Sequence, residues 1–140
     1  VLTRIDFYVT DAAGALARER LACRIAAKAA GLGHRLHIHL ATESALEQMD
    51  ELLWTFGDTS FLPHARLGAD EAVPVTLDIA AAPEPAPALL INLADEIPGF
   101  FSHFDRVAEI VSGDARVRTS GREHFRFYRD RGYPLQHHVL

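Results

Sequence analysis

The chain has 140 residues, of which 49% are hydrophobic, with a net charge of −5 and a single cysteine. That length and apolar content suit one domain, residues 1–140, whose core needs neither disulfides nor a structural metal. No apolar run reaches the ~18 residues of a membrane span, no charged-then-apolar leader opens the chain, and the acidic balance argues against strong direct nucleic-acid binding, which needs a positive field.

Arg4 to Val9 alternates Ile5, Phe7 and Val9 on one side and reads as a strand. Asp11 is the expected cap of an Ala-rich helix from Ala13 to Ala30, closed by Gly31 and Gly33. Within it Cys23 reads as a small buried apolar residue. With no second cysteine the expected compartment is reducing, the cytoplasm. His34 to Leu40 returns to period two, with Leu36, Ile38 and Leu40 opposite His37 and His39.

The next helix runs from Ser44 to Phe56, with Leu46, Met49, Leu52, Leu53 and Phe56 on one stripe and Trp54 among the acids Glu47, Asp50 and Glu51. Gly57, Asp58, Thr59 and Ser60 break it, and Phe61, Leu62, Pro63 and His64 follow on the loop. An indole on the polar side of a helix either folds under the following loop or offers a partner a rigid anchor. Packing of Trp54 on Phe61 in a satellite core is the competing reading.

Ala65 to Ala72 reads as a surface loop, and Val73 to Ile79 as a strand that Pro74 demotes to a sheet edge. The proline-rich Ala81 to Pro87 is an extended connection. Ala88 to Leu93, apolar almost throughout, is the strand expected at the sheet centre, covered on both faces. Ile97, Phe100, Phe101 and Phe104 form an aromatic helical turn, Arg106 to Val111 another strand, and Asp114 to Asp130 a helix closed by Gly132. The tail from Tyr133 adds an edge strand or lies on the surface, with His137 and His138 pointing to opposite sides. Strands alternating with helices give an α/β class, a mainly parallel open sheet of Rossmann-like form.

Nucleotide chemistry has little support. The turn after the first strand, TDAAGALARER, has one glycine where a dinucleotide fingerprint needs three, and no Gly-Lys-Ser/Thr of a phosphate loop. His37 and His39 share a strand face but need a third ligand to hold zinc, and no serine lies in a nucleophile elbow. The expectation is a protein with no cofactor, no metal and no catalytic residue. A nucleotide-dependent or hydrolytic enzyme on the same fold is the alternative.

The strongest physical signal is charge segregation. Residues 113–133 carry six arginines against three acids, a local +3 that leaves −8 for the remainder. On the helix after Asp114, Arg118, Arg122, Arg126 and Arg129 fall within about 80° of arc, with Phe125 at the border of a buried group formed by Val117, Gly121, His124 and Tyr128. Guanidinium forks beside an aromatic suit an acidic peptide with an apolar end group. An ordinary solvated helix face is the competing reading.

Taken together, Phe7-Tyr8, Ala22-Cys23-Arg24, Gly33 to Leu40, Asp50 to His64 (DELLWTF, then SFLPH) and Arg122 to Leu135 (REHFRFYRDRGYPL) resemble the chi subunit of bacterial DNA polymerase III along nearly the whole chain. The resemblance implies a noncatalytic clamp-loader accessory protein of Rossmann-like fold. It implies binding of the acidic C-terminal tail of single-stranded DNA-binding protein by Val111, Arg118, Arg122, Phe125 and Arg126. It also implies docking of the psi subunit, or of a helicase-like protein in its place, on Trp54, Phe61, Pro63 and His64. Some family members carry lysine where this chain has Arg118 and Arg126, which preserves charge and alters geometry.

Overall fold

The computed structural model describes residues 2–57, 61–70 and 72–140. Asp58, Thr59, Ser60 and Glu71, which the sequence assigns to loops, lie outside the described residues. In chain order the elements are β1 (Arg4–Val9), α1 (Ala17–Gly31), β2 (Leu36–His39), α2 (Glu43–Thr55), β3 (His64–Arg66), β4 (Val75–Asp78), β5 (Leu89–Asn92), a 3₁₀ turn (Phe101–His103), β6 (Arg106–Val111), α3 (Ala115–Asp130) and β7 (Leu135–Val139). The strands form one sheet in the order β3-β4-β2-β5-β6-β1-β7, and every pairing is parallel. This is the open α/β sheet that the alternation of strand and helix patterns requires.

Period two divides the strand side chains between two cores. Leu36, Ile38, Leu89, Ile91, Ala108 and Ile110 face α1 and α2, where Leu21, Cys23, Ala26, Leu46, Met49 and Leu53 cover them. Ile5, Phe7, Leu90, Val107 and Val111 face the opposite side, under α3 and the 3₁₀ turn, with Val117, Tyr128, Phe101 and Phe104. β5 is fourth of the seven strands and buried throughout, as its apolar run requires. Burial in the first core pushes the Cys23 thiol up to about 12, so the residue packs as a small apolar group.

Three expectations need correction. The tract after Pro63 is not all loop: His64–Arg66 forms β3, pairing His64 with Val75 and Arg66 with Leu77. β4 is therefore not the edge, because Pro74 stands just before it and needs no N–H there; its carbonyl accepts from the Leu36 amide at 2.9 Å. Asp11 does not cap α1. That helix starts at Ala17 behind Leu16, which sits at φ 65° without a side-chain cap, and the Asp11 carboxylate instead meets Arg118. The C-terminal segment takes the edge-strand option, pairing with β1 from Ile5↔Leu135 to Val9↔Val139.

Candidate functional site

α3 is fastened to the sheet by a buried polar cluster. Glu109 of β6 accepts from His124 Nδ1 at 2.8 Å, from the Tyr128 hydroxyl at 2.8 Å and from Asn92 Nδ2 at 3.0 Å. The other imidazole nitrogen, Nε2, lies 2.7 Å from the Asp95 carbonyl oxygen. Burial opposes a charge on His124, but the Glu109 carboxylate and the Asp95 carbonyl outweigh it and hold its pKa above the ordinary value. This fixes the helix in rotation, with Val117, His124 and Tyr128 inward as the helical spacing requires.

The adjoining flank of that helix overhangs a groove of about 180 Å³ lined by Phe7, Val9, Val111, Arg118, Gly121, Arg122, Phe125 and His137. A cavity of about 150 Å³ lined by apolar side chains holds a benzene, so the groove is of the size that takes one aromatic ring. Its floor is β1, β6 and β7; its wall is α3. Gly121 lets the helix come down onto the sheet, since a Cβ there would stand 2.8 Å from Val111 Cγ2. The rings of Phe125 and Phe7 meet edge to face at 5.6 Å, and His137 lies 5.1 Å from Phe125.

Four of the five sequence-expected tail residues, Val111, Arg118, Arg122 and Phe125, meet in this groove. Arg126 does not line it, but lies four residues beyond Arg122 on the same helix face, where i,i+4 side chains are neighbours. The arginines are not locked internally. Arg118 pairs at 3.1 Å with an Asp11 carboxylate that is fully exposed, an arrangement contributing little. Arg122 makes one long contact to Thr119 Oγ1 at 3.4 Å, and Arg126 is exposed with no hydrogen bond or ion pair among the described residues. Phe7, Val9 and His137, which the sequence does not mark as site residues, complete the lining. The alternation of β1 puts Phe7 and Val9 on one face, but only the register shows which helix lies over it.

The second set gathers at the opposite edge of the sheet. Trp54 of α2 is 41% exposed and Phe61 74% exposed, and their rings touch at 5.2 Å, so they pack on each other and remain open to a partner. His64 is buried beneath, 4.1 Å from Trp54, with Nδ1 2.7 Å from the Leu62 carbonyl oxygen and Nε2 3.0 Å from that of Asp50. It supports the indole from below. Pro63 lines an adjoining cleft of about 320 Å³ with Ala27, Ala30 and Gly31 of α1, small residues that the sequence does not mark as site residues. Five strand spacings separate β3 from β1, roughly 24 Å, and the two surfaces are carried by helices on opposite faces.

Three polar arrangements among the described residues have partners within the chain. Ser120, His124 and Glu109 follow the order nucleophile, base, orienter, with Ser120 Oγ 3.5 Å from His124 Nε2. However, Nε2 and the Ser120 hydroxyl both donate to the Asp95 carbonyl, and a nitrogen that donates cannot take a serine proton. At the β1–α1 turn the Gly14 amide donates to Asp114 Oδ1 at 3.0 Å, so a carboxylate of this chain sits where a nucleotide-binding turn offers amides to phosphate. His37 lies under Phe100 and Phe104, its Nδ1 2.7 Å from Thr76 Oγ1. Burial lowers its pKa to about 4. Among the described residues no group of three His, Cys, Asp or Glu side chains could hold a metal ion, and no helix is long and apolar enough to cross a membrane.

Comparison with known proteins places the chain in a family. The family model described as DNA polymerase III chi subunit, HolC, matches residues 2–136. The DNA polymerase III subunit chi of Pseudomonas aeruginosa is 43% identical over 139 residues, covering 99% of this chain and 98% of that one. The Haemophilus influenzae subunit chi is 30% identical over 133 residues, covering 93% and 92%. That of Escherichia coli is 29% identical over 136 residues, covering 92% of each. On a match of this extent, the chain belongs to the DNA polymerase III chi subunit family, an accessory subunit family of the replicative polymerase.

Proposed function

We propose that the protein is a noncatalytic replication adaptor of the cytoplasm with two separate protein contacts. The α3 groove binds the acidic C-terminal tail of single-stranded DNA-binding protein through Val111, Arg118, Arg122, Phe125 and Arg126. The Trp54, Phe61, Pro63 and His64 surface docks psi and through it the clamp loader, or a helicase-like protein where psi is missing. The observation that carries this reading is the joining of two guanidiniums, Arg118 and Arg122, to a ring-sized cavity floored by Phe7 and edged by Phe125. A C-terminal aromatic residue presents an apolar ring beside a carboxylate, and the groove answers both, one by burial and one by charge-assisted hydrogen bonds.

The test is a calorimetric titration of this protein with full-length single-stranded DNA-binding protein and with a form lacking its acidic tail. Binding by the first and none by the second supports the reading. Equal binding of both forms rejects it. Added salt weakens the tail contact, because the arginines are exposed and screened.

A further inference from the structure

His137 and His138 are adjacent on β7, so their side chains leave the strand on opposite faces. His137 lines the groove beside α3 and remains exposed, its ring 5.1 Å from Phe125 and 5.7 Å from Phe7. His138 turns to the other face, where its Nε2 lies 3.0 Å from Asp6 Oδ1 and its ring stacks on Tyr8 at 4.6 Å and 14°. Asp6 is fully buried, and its second oxygen accepts from Arg4 and from Arg106 on the strand beyond. A carboxylate so placed is an anchor point: it ties β7 to β1 and β6 by side chains, in addition to the ladder.

We propose that the two histidines divide the work of one binding site: His137 is a contact residue of the groove, and His138 is a positioning residue that holds it there through Asp6 and Tyr8. β7 is the last strand of the sheet, with a neighbour on one side only. Its ladder to β1 and the packing of Leu135 on the second core hold the strand at its start, and the His138–Asp6 contact adds a side-chain tie one residue beyond His137. A lateral shift of β7 would withdraw His137 from the groove and leave Phe125 and Phe7 without their third ring. The charge that holds the strand is on the face away from the ligand, so it works without competing for the peptide carboxylates. Asp6 is suited to it, because the His138 hydrogen bond and the guanidiniums of Arg106 and Arg4 outweigh its burial and keep its pKa low.

This inference rests on the α3 groove being the tail site. The experiment is a double-mutant cycle, with titrations of an acidic peptide ending in Pro-Phe against the wild type, His137→Ala, His138→Ala and the double variant, alongside Arg122→Ala. The loss of an aromatic contact predicts that His137→Ala weakens binding about three- to tenfold. His138→Ala weakens it to a similar extent in the wild-type background and has no further effect once His137 is gone. A purely structural role would lower affinity equally in both backgrounds, and that additive result overturns the positioning role. If His138→Ala does not fold, the cycle is run with His138→Phe, which keeps the stack on Tyr8 and removes the N–H to Asp6. Unchanged affinity in His137→Ala with weakened binding in Arg122→Ala overturns this inference alone. Unchanged affinity in both variants overturns the groove assignment itself.

Discussion

His124 Nδ1 lies 2.8 Å from Glu109 Oε1, and the pair joins the inner face of α3 to the central sheet. Both side chains are almost fully enclosed, so neither can lose its partner without leaving a buried charge or an unsatisfied polar group. Replacing His124 by Gln should destabilise the protein by roughly 3 to 5 kcal/mol, the cost of breaking a buried ion pair from one side. The pH dependence has a definite sign. The folded pKa of His124 is raised above its unfolded value of 6.5, so its contribution is fully present below pH 6.5 and is lost as pH rises through the folded pKa. Urea unfolding should show stability falling on the alkaline side in the wild type, and that fall should be absent from His124→Gln.

His37 acts in the opposite sense. Its folded pKa is depressed from 6.5 to about 4 by burial, so the unfolded chain takes up a proton over that interval and the folded protein does not. Stability therefore falls as pH drops from 6.5 to 4, by roughly 3 kcal/mol at the lower end. His39, similarly buried and lowered, adds to the trend. His37→Gln should flatten the acid limb of an unfolding-midpoint profile, and an unchanged limb would refute this assignment.

Gly113 follows β6 at the point where the chain passes the β1–α1 turn. A Cβ there would lie 2.4 Å from the Asp11 carbonyl oxygen, which is backbone and cannot step aside cheaply. Gly113→Ala should cost at least the ~1 to 3 kcal/mol of an overpacked site. Gly31→Ala, at the end of α1 with open space around it, should be neutral or stabilising by about 0.4 to 1 kcal/mol through the unfolded state. Thermal unfolding of the two variants makes the comparison.

Trp54 and Arg122 lie on opposite faces of the sheet and share no partner. If each serves its own contact, Trp54→Ala leaves affinity for the acidic peptide unchanged, and Arg122→Ala leaves docking at the Trp54 surface unchanged. The double variant should show the two effects summed to within about 0.3 to 0.5 kcal/mol. Surface plasmon resonance with the peptide and with purified psi reads both.

What could be read from the chain alone follows from what kind of signal each element carries. β1 and β6 begin and end where alternation and β-branched content put them, and the Ala88 to Leu93 run lies at the centre because an apolar strand needs cover on both faces. The wall of the groove was legible for a similar reason: Arg118, Arg122 and Phe125 are related by helical spacing within one element. The floor was not. Phe7, Val9 and His137 come from β1 and β7, far apart in sequence, and their meeting depends on a parallel register that no local pattern encodes. β3 has three residues, too few for a period to show, and its presence made Pro74 misleading. Alternation sends His137 and His138 to opposite sides, as observed, but no local pattern shows that the one meets an aromatic groove and the other the buried carboxylate of Asp6.

The central claim is that the α3 groove clasps an acidic chain end by charge and ring together. It is tested most directly by titrating an acidic peptide ending in Pro-Phe into the wild type and into Arg122→Ala. The expected result is a loss of roughly 1.5 to 3 kcal/mol of binding free energy in the variant, the range for a charge-assisted hydrogen bond. Equal affinity of the two proteins for the peptide would contradict it.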